Sequence, residues 1–132
     1  DTGTGGRNRG MGELTKAENT RPQIWAGEPE NAAILAGGTV GTHLQMGIGD
    51  GVIPAILNQD IYDDIYVVSD EEAIQTAKDL ACKEGLMCGI SSGTNVAAAL
   101  KLAKKLGPGK TVVTVLPDTA ERYFSTPLFE NE

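Results

Sequence analysis

Short apolar runs suited to strands alternate along this chain with amphipathic helical stretches, and that order constrains the fold more than any single motif. Gln23 to Glu28 reads as a strand closed by Pro29, and Ile61 to Val68 ends in a second. Ser69 and Glu72 then form a capping box. Behind it Ala73, Ile74, Ala77, Leu80 and Ala81 repeat at helical spacing until Gly85. A second long helix follows Ser91-Ser92-Gly93, with Val96, Leu100, Ala103 and Leu106 expected on one face, and Gly107-Pro108-Gly109 breaks it. Thr111 to Leu116 is a continuous β-branched run expected as a strand buried on both faces, ended by Pro117. Asp118 with Glu121 is expected to cap a last short helix. The fold class is therefore α/β, an open, mostly parallel sheet flanked by helices in three layers. Three strands are few for that class, and the chain opens inside a loop without an initiator Met, so residues 1–132 are expected to be one domain portion of a longer protein with strands upstream.

The remaining segments read as connections. Met11, Leu14 and Ala17 mark the apolar face of a short helix over Gly10 to Asn19, stopped at Arg21-Pro22. Asn31 to Ala36 is expected as a short Ala-rich helix ending at Gly37-Gly38, and Val52 to Leu57 as a helical turn around Pro54. Between them Thr39 to Gly51 has no periodicity and is expected to be a long functional loop.

The first dozen residues are rich in glycine and run into a helix, which points to an anion cradle built of backbone N–H groups. The dinucleotide fingerprint G-x-G-x-x-G does not fit, because its last position, counted from Gly3, is Asn8. One of Ser91 and Ser92 is expected to cap its helix, leaving the other hydroxyl for a ligand. His43 reads as a surface or structural residue and the lysines as solvated, so no catalytic residue is visible. Cys82 and Cys88 are too far apart for a C-x-x-C pair and only one histidine is present, which argues against zinc and for reduced cytosolic thiols. A net charge of −7 argues against nucleic acid and acidic membranes as partners, and no apolar run is long enough to span a bilayer.

Taken together, four segments resemble the fold-type II pyridoxal-phosphate enzymes. Gly3-Thr4-Gly5-Gly6 is similar to the start of their Gly-Thr-Gly-Gly-Thr loop, and Gly47-Ile48-Gly49-Asp50-Gly51-Val52-Ile53-Pro54 to their Gly-Ile-Gly-x-Gly-Phe-x-Pro segment. Gly89-Ile90-Ser91-Ser92-Gly93 matches their Gly-Ile-Ser-Ser-Gly segment, and Pro117 to Thr126 resembles their Pro-x-x-Gly-Glu-Arg-Tyr-Leu-Ser-Thr ending, closest to the cysteine synthase (O-acetylserine sulfhydrylase) branch. Arg7 stands where the family has threonine, Met46 where it usually has glutamine, and Ala120 where it has glycine.

The resemblance implies that Gly3, Thr4, Gly5, Gly6 and Arg7 hold the 5′-phosphate of pyridoxal phosphate, and that Ser91 hydrogen-bonds the ring nitrogen. Gly47, Ile48 and Gly49 would lie near the substrate. It implies β-elimination and replacement, making L-cysteine from O-acetylserine and sulfide in a cytoplasmic homodimer, with serine acetyltransferase as a further partner. The Schiff-base lysine and the substrate-carboxylate loop lie upstream in that family, so this chain alone is expected to be inactive and to bind the cofactor weakly or not at all. A cystathionine β-synthase-like or threonine-dehydratase-like relative is the alternative enzyme. A non-catalytic remnant that binds phosphate or a partner is the alternative of another class.

Overall fold

Two parallel strands, β1 (Trp25–Pro29) and β2 (Asp64–Val68), set the frame, in register from Trp25 opposite Asp64 to Pro29 opposite Val68. The structure is a computed structural model that describes residues 5–18 and 22–129. Helix α1 (Gly6–Ala17) precedes the strands, while α2 (Asp70–Glu84) and α3 (Ile90–Leu106) follow β2. Short 3-10 turns lie at Glu30–Ala32 and Ala120–Tyr123.

Local chemistry fixes α2 at both ends. Ser69 Oγ accepts from Glu72 N at 3.1 Å, half of the expected box. The other half is diverted, because the Glu72 carboxylate accepts from the Tyr66 hydroxyl at 3.1 Å instead of reaching back to Ser69. Gly85 ends the helix in the left-handed region, φ 70°. Helices α2 and α3 cross at small residues: a Cβ on Gly93 would lie 1.9 Å from the Ala73 carbonyl oxygen. That approach is possible only for glycine, and it brings Ala73, Ala77, Ile90 and Ala97 into one core with Val68, Tyr123 and Leu128.

Several expectations change. The β-branched run Thr111 to Leu116 is not a strand: it forms no ladder among the described residues, and Val113 is 73% exposed. Strand pairing needs a neighbour of matching register, and β1 and β2 bond to each other rather than to this run; one tie to it is Asn95 Nδ2 donating to Val115 O. On α3 the expected face is rotated outward, leaving Leu100 exposed, while Ile90, Thr94, Ala97, Ala98 and Leu102 are buried. The buried face is set by the close approach at Gly93, which admits Thr94, Ala97 and Ala98 alongside Ile90 and Leu102.

Helix α1 likewise docks by Gly12, where a Cβ would sit 2.4 Å from Ile61 Cγ1, and it turns Met11 and Leu14 to the outside. It also begins at Gly6, so the helix includes part of the expected cradle. The Asn31 to Ala36 helix shortens to the 3-10 turn and a hydrogen-bonded turn that follows it, and Val52 to Leu57 contains a single turn closed by Leu57 N donating to Pro54 O at 2.9 Å.

Candidate functional site

Gly5 is where the cradle becomes concrete. It caps α1 in the left-handed region, φ 77°, and a Cβ there would lie 2.7 Å from Leu57 Cβ and 3.1 Å from Leu57 Cα. Only glycine fits both the backbone and the space. Gly6 and Arg7 form the first turn of α1, where amides have no intrahelical acceptor and the positive end of the helix favours an anion. The Arg7 side chain is exposed. Gly3 and Thr4 lie outside the described residues.

Leu57 links this cradle to the glycine loop, since it also lines a shallow crevice with Glu28, Leu35, Gly49, Gly51 and Pro54. Gly49 is left-handed at φ 70° and rests on the end of β1, with space for a Cβ closed by Pro29 Cγ and His43 Nε2, each at 2.8 Å. Ile48 is buried beside it, while Gly47 is exposed. His43 organises the loop. Its Nδ1 accepts from Gln45 N at 3.2 Å, so its Nε2 carries the proton and donates to Gly49 O at 3.2 Å. That role is structural.

Gln45 ties this loop to the rest of the fold, and nothing in the sequence singled it out. Its side chain is fully buried. Nε2 donates to Val68 O at the end of β2 (2.9 Å) and to Asp70 Oδ1 at the start of α2 (3.0 Å), while Oε1 accepts from Thr94 Oγ1 in α3 (2.7 Å). Asp70 Oδ2 in turn accepts from Leu44 N at 2.9 Å. Thr94 is one helical turn from Ser91, on the same side of α3. The glycine loop and the first turn carrying Ser91 are thereby joined through a single amide.

Ser91 and Ser92 are buried in that first turn, but neither caps the helix; Gly89 is the N-cap and no side chain bonds there. Ser92 Oγ is buried without a well-formed hydrogen bond. It lies beside the Cys88 thiol, whose ionisation it favours, but burial outweighs this and pushes the thiol up. Asp118 does not cap the last turn either; it accepts a short hydrogen bond from the Tyr123 hydroxyl. At the crevice, Glu28 is 3% exposed and accepts from Leu35 N at 2.9 Å and Ala36 N at 3.1 Å. Burial raises its pKa, and the two amides pull the other way.

The surface lysines Lys16, Lys83 and Lys105 pair with Asp63, Asp79 and Asp64, and Lys101 donates to Tyr66. Among the described residues no group of three His, Cys, Asp or Glu side chains is placed to hold a metal ion, and no helix is long and apolar enough to cross a membrane.

Residues 1–118 match the family model described as pyridoxal-phosphate dependent enzyme. Over 127 residues, 96% of this chain, it is 53% identical to cysteine synthase B of Campylobacter jejuni and covers 42% of that protein. Over the same length it is 48% identical to the cysteine synthase of Staphylococcus aureus, covering 41% of it. The crystal structure of cysteine synthase from Entamoeba histolytica superposes with a TM-score of 0.86 at 37% identity, covering 93% of this chain and 37% of that one. The chain thus spans about two-fifths of the length of the curated relatives it matches.

Proposed function

This chain belongs to the pyridoxal-phosphate dependent enzyme family, and we propose that it is the cofactor-holding portion of a cysteine synthase. The proposed activity makes L-cysteine from O-acetylserine and sulfide: the Cβ–O bond breaks, acetate leaves, and a Cβ–S bond forms. The bound cofactor supplies the electron sink for that elimination and replacement. In this reading the parent enzyme is a cytoplasmic homodimer acting on small molecules, with serine acetyltransferase as a further partner.

The observation that carries the reading is the Gln45 link between the glycine loop and the turn of Ser91. Gly5 and Gly6 present the free amides of α1 to the cofactor's phosphate, with Gly3 and Thr4 ahead of them and Arg7 adding a cation. Ser91 offers a neutral hydroxyl to the ring nitrogen, which leaves that nitrogen without a proton and suits β-elimination over deeper carbanion chemistry. Gly47, Ile48 and Gly49 border the substrate, in a loop whose position His43 and Gln45 fix. In this reading none of the seven lysines Lys16, Lys78, Lys83, Lys101, Lys104, Lys105 and Lys110 bonds the cofactor, so the chain alone does not turn over substrate and holds the cofactor weakly at most.

Pyridoxal phosphate titration with thermal unfolding tests this. At a ligand concentration of 100 times Kd the native state gains about 2.7 kcal/mol, and borohydride reduction leaves every lysine unmodified. A pyridoxyl-lysine found by mass spectrometry would overturn the lysine assignment. A phosphate-dependent rise in Tm that survives Thr4→Ala with Gly5→Val would overturn the cradle.

A further inference from the structure

Below the first turn of α3 the chain crosses itself, and backbone hydrogen bonds join the two segments beside one side-chain pair. Cys88 and Thr119 form an isolated antiparallel bridge, flanked by Gly89 N donating to Asp118 O at 3.2 Å and Ala120 N donating to Met87 O at 3.3 Å. The Tyr123 hydroxyl, on a residue 5% exposed, donates to Asp118 Oδ2. The other carboxylate oxygen, Oδ1, is buried with no partner and faces the backbone of Gly89. A Cβ at Gly89 would lie 2.2 Å from that oxygen and 2.5 Å from Tyr123 Cε2. The N-cap of α3 is therefore seated against both members of the pair, and Ser91 stands two residues further on. A carboxylate at this end of the helix also complements its positive pole.

We infer that Tyr123 is a positioning residue for Ser91: through Asp118 it fixes the turn from which α3 starts, and so aims the Ser91 hydroxyl. This rests on the reading above that Ser91 faces the cofactor ring. Tyr123 itself touches neither the cradle nor the glycine loop in this role; its effect on ligand runs through the Asp118 carboxylate and the Gly89 backbone. Phosphate held at Gly5 and Gly6 does not depend on it.

Tyr123→Phe keeps the ring and removes the tie. In the 132-residue chain, hydrogen exchange at the Gly89 and Ser92 amides is expected to accelerate about 3- to 10-fold, the loss of one hydrogen bond, with the middle of α2 unchanged. Affinity for pyridoxal phosphate is expected to fall by about the same factor, while affinity for inorganic phosphate holds. Ser91→Ala should weaken pyridoxal phosphate in the same selective way, and adding Tyr123→Phe to it should cost nothing more. The inference is overturned if exchange rises equally in α2, if inorganic phosphate weakens in parallel, or if the two substitutions multiply. If Ser91→Ala leaves cofactor affinity intact, the ring-nitrogen assignment falls and the role toward ligand falls with it. Faster exchange confined to Gly89 and Ser92 would then still establish the tie on the turn.

Discussion

Thr94→Val separates the Gln45 connection from ordinary packing, because it keeps the shape of the side chain and removes only the hydroxyl. In the native chain Thr94 Oγ1 donates to Gln45 Oε1 at 2.7 Å, and both residues are fully buried. The substitution leaves Oε1 dehydrated and unpaired, which costs about 1–3 kcal/mol. Interpolating between small and mid-sized domains, each kcal/mol lowers Tm by about 3–5 °C, so a fall of about 3–15 °C is expected. Urea unfolding followed by the fluorescence of the single tryptophan, Trp25, measures the cost directly, with an unchanged slope. In a Gln45→Leu background the same substitution has no acceptor to strand, and its cost should drop to about 0.5 kcal/mol or less. An equal cost in both backgrounds, or a cost below about 0.3 kcal/mol in the native one, would refute the connection as an energetic link.

Three further outcomes are expected. Gly89→Ala, which places a methyl 2.2 Å from Asp118 Oδ1, should destabilise by about 1–3 kcal/mol, whereas Gly10→Ala, mid-helix with open space around it, should stabilise by about 0.5–1 kcal/mol; paired thermal melts compare them. Burial first, and the Asp118 hydrogen bond second, push the Tyr123 phenol from 10.0 up to about 12. A raised folded pKa means stability that is whole below pH 10 and lost as pH rises through 12, and tyrosinate absorbance should show that phenol shifting part of the way down in Asp118→Asn. Glu28, raised above 4.5 by burial, holds its proton in the native chain at a pH where the unfolded chain releases it. Stability should therefore decline as pH climbs from 4.5 through the folded value, and Glu28→Gln should flatten that decline in urea melts taken across the range.

What could be read in advance is what depends on neighbours in sequence. Ser69, Glu72 and Gly85 bound α2 because caps are local chemistry, and Thr39 to Gly51 could be read as a loop from its own lack of periodicity. The face of α3 was not legible, since it is decided where Gly93 meets the Ala73 carbonyl, a contact between helices that rewards the absence of a side chain. Thr111 to Leu116 has strand chemistry without a ladder, because pairing is a property of two segments. At the candidate site, Gly5 was suggested by its type and Ser91 by the family resemblance, though Ser91 lies inside the helix rather than capping it. Gln45, Thr94 and Glu28 were not, because the burial of a polar side chain is known only when its partners arrive from elsewhere.

The partners of Gln45 also bear on the order in which the chain acquires its shape. They sit at Val68, Asp70 and Thr94, so this amide finds them only after β2, α2 and the start of α3 have come together. Contacts between residues this distant in sequence are the slow ones in folding. The glycine loop is therefore expected to settle last during refolding, after the nearby helices have formed.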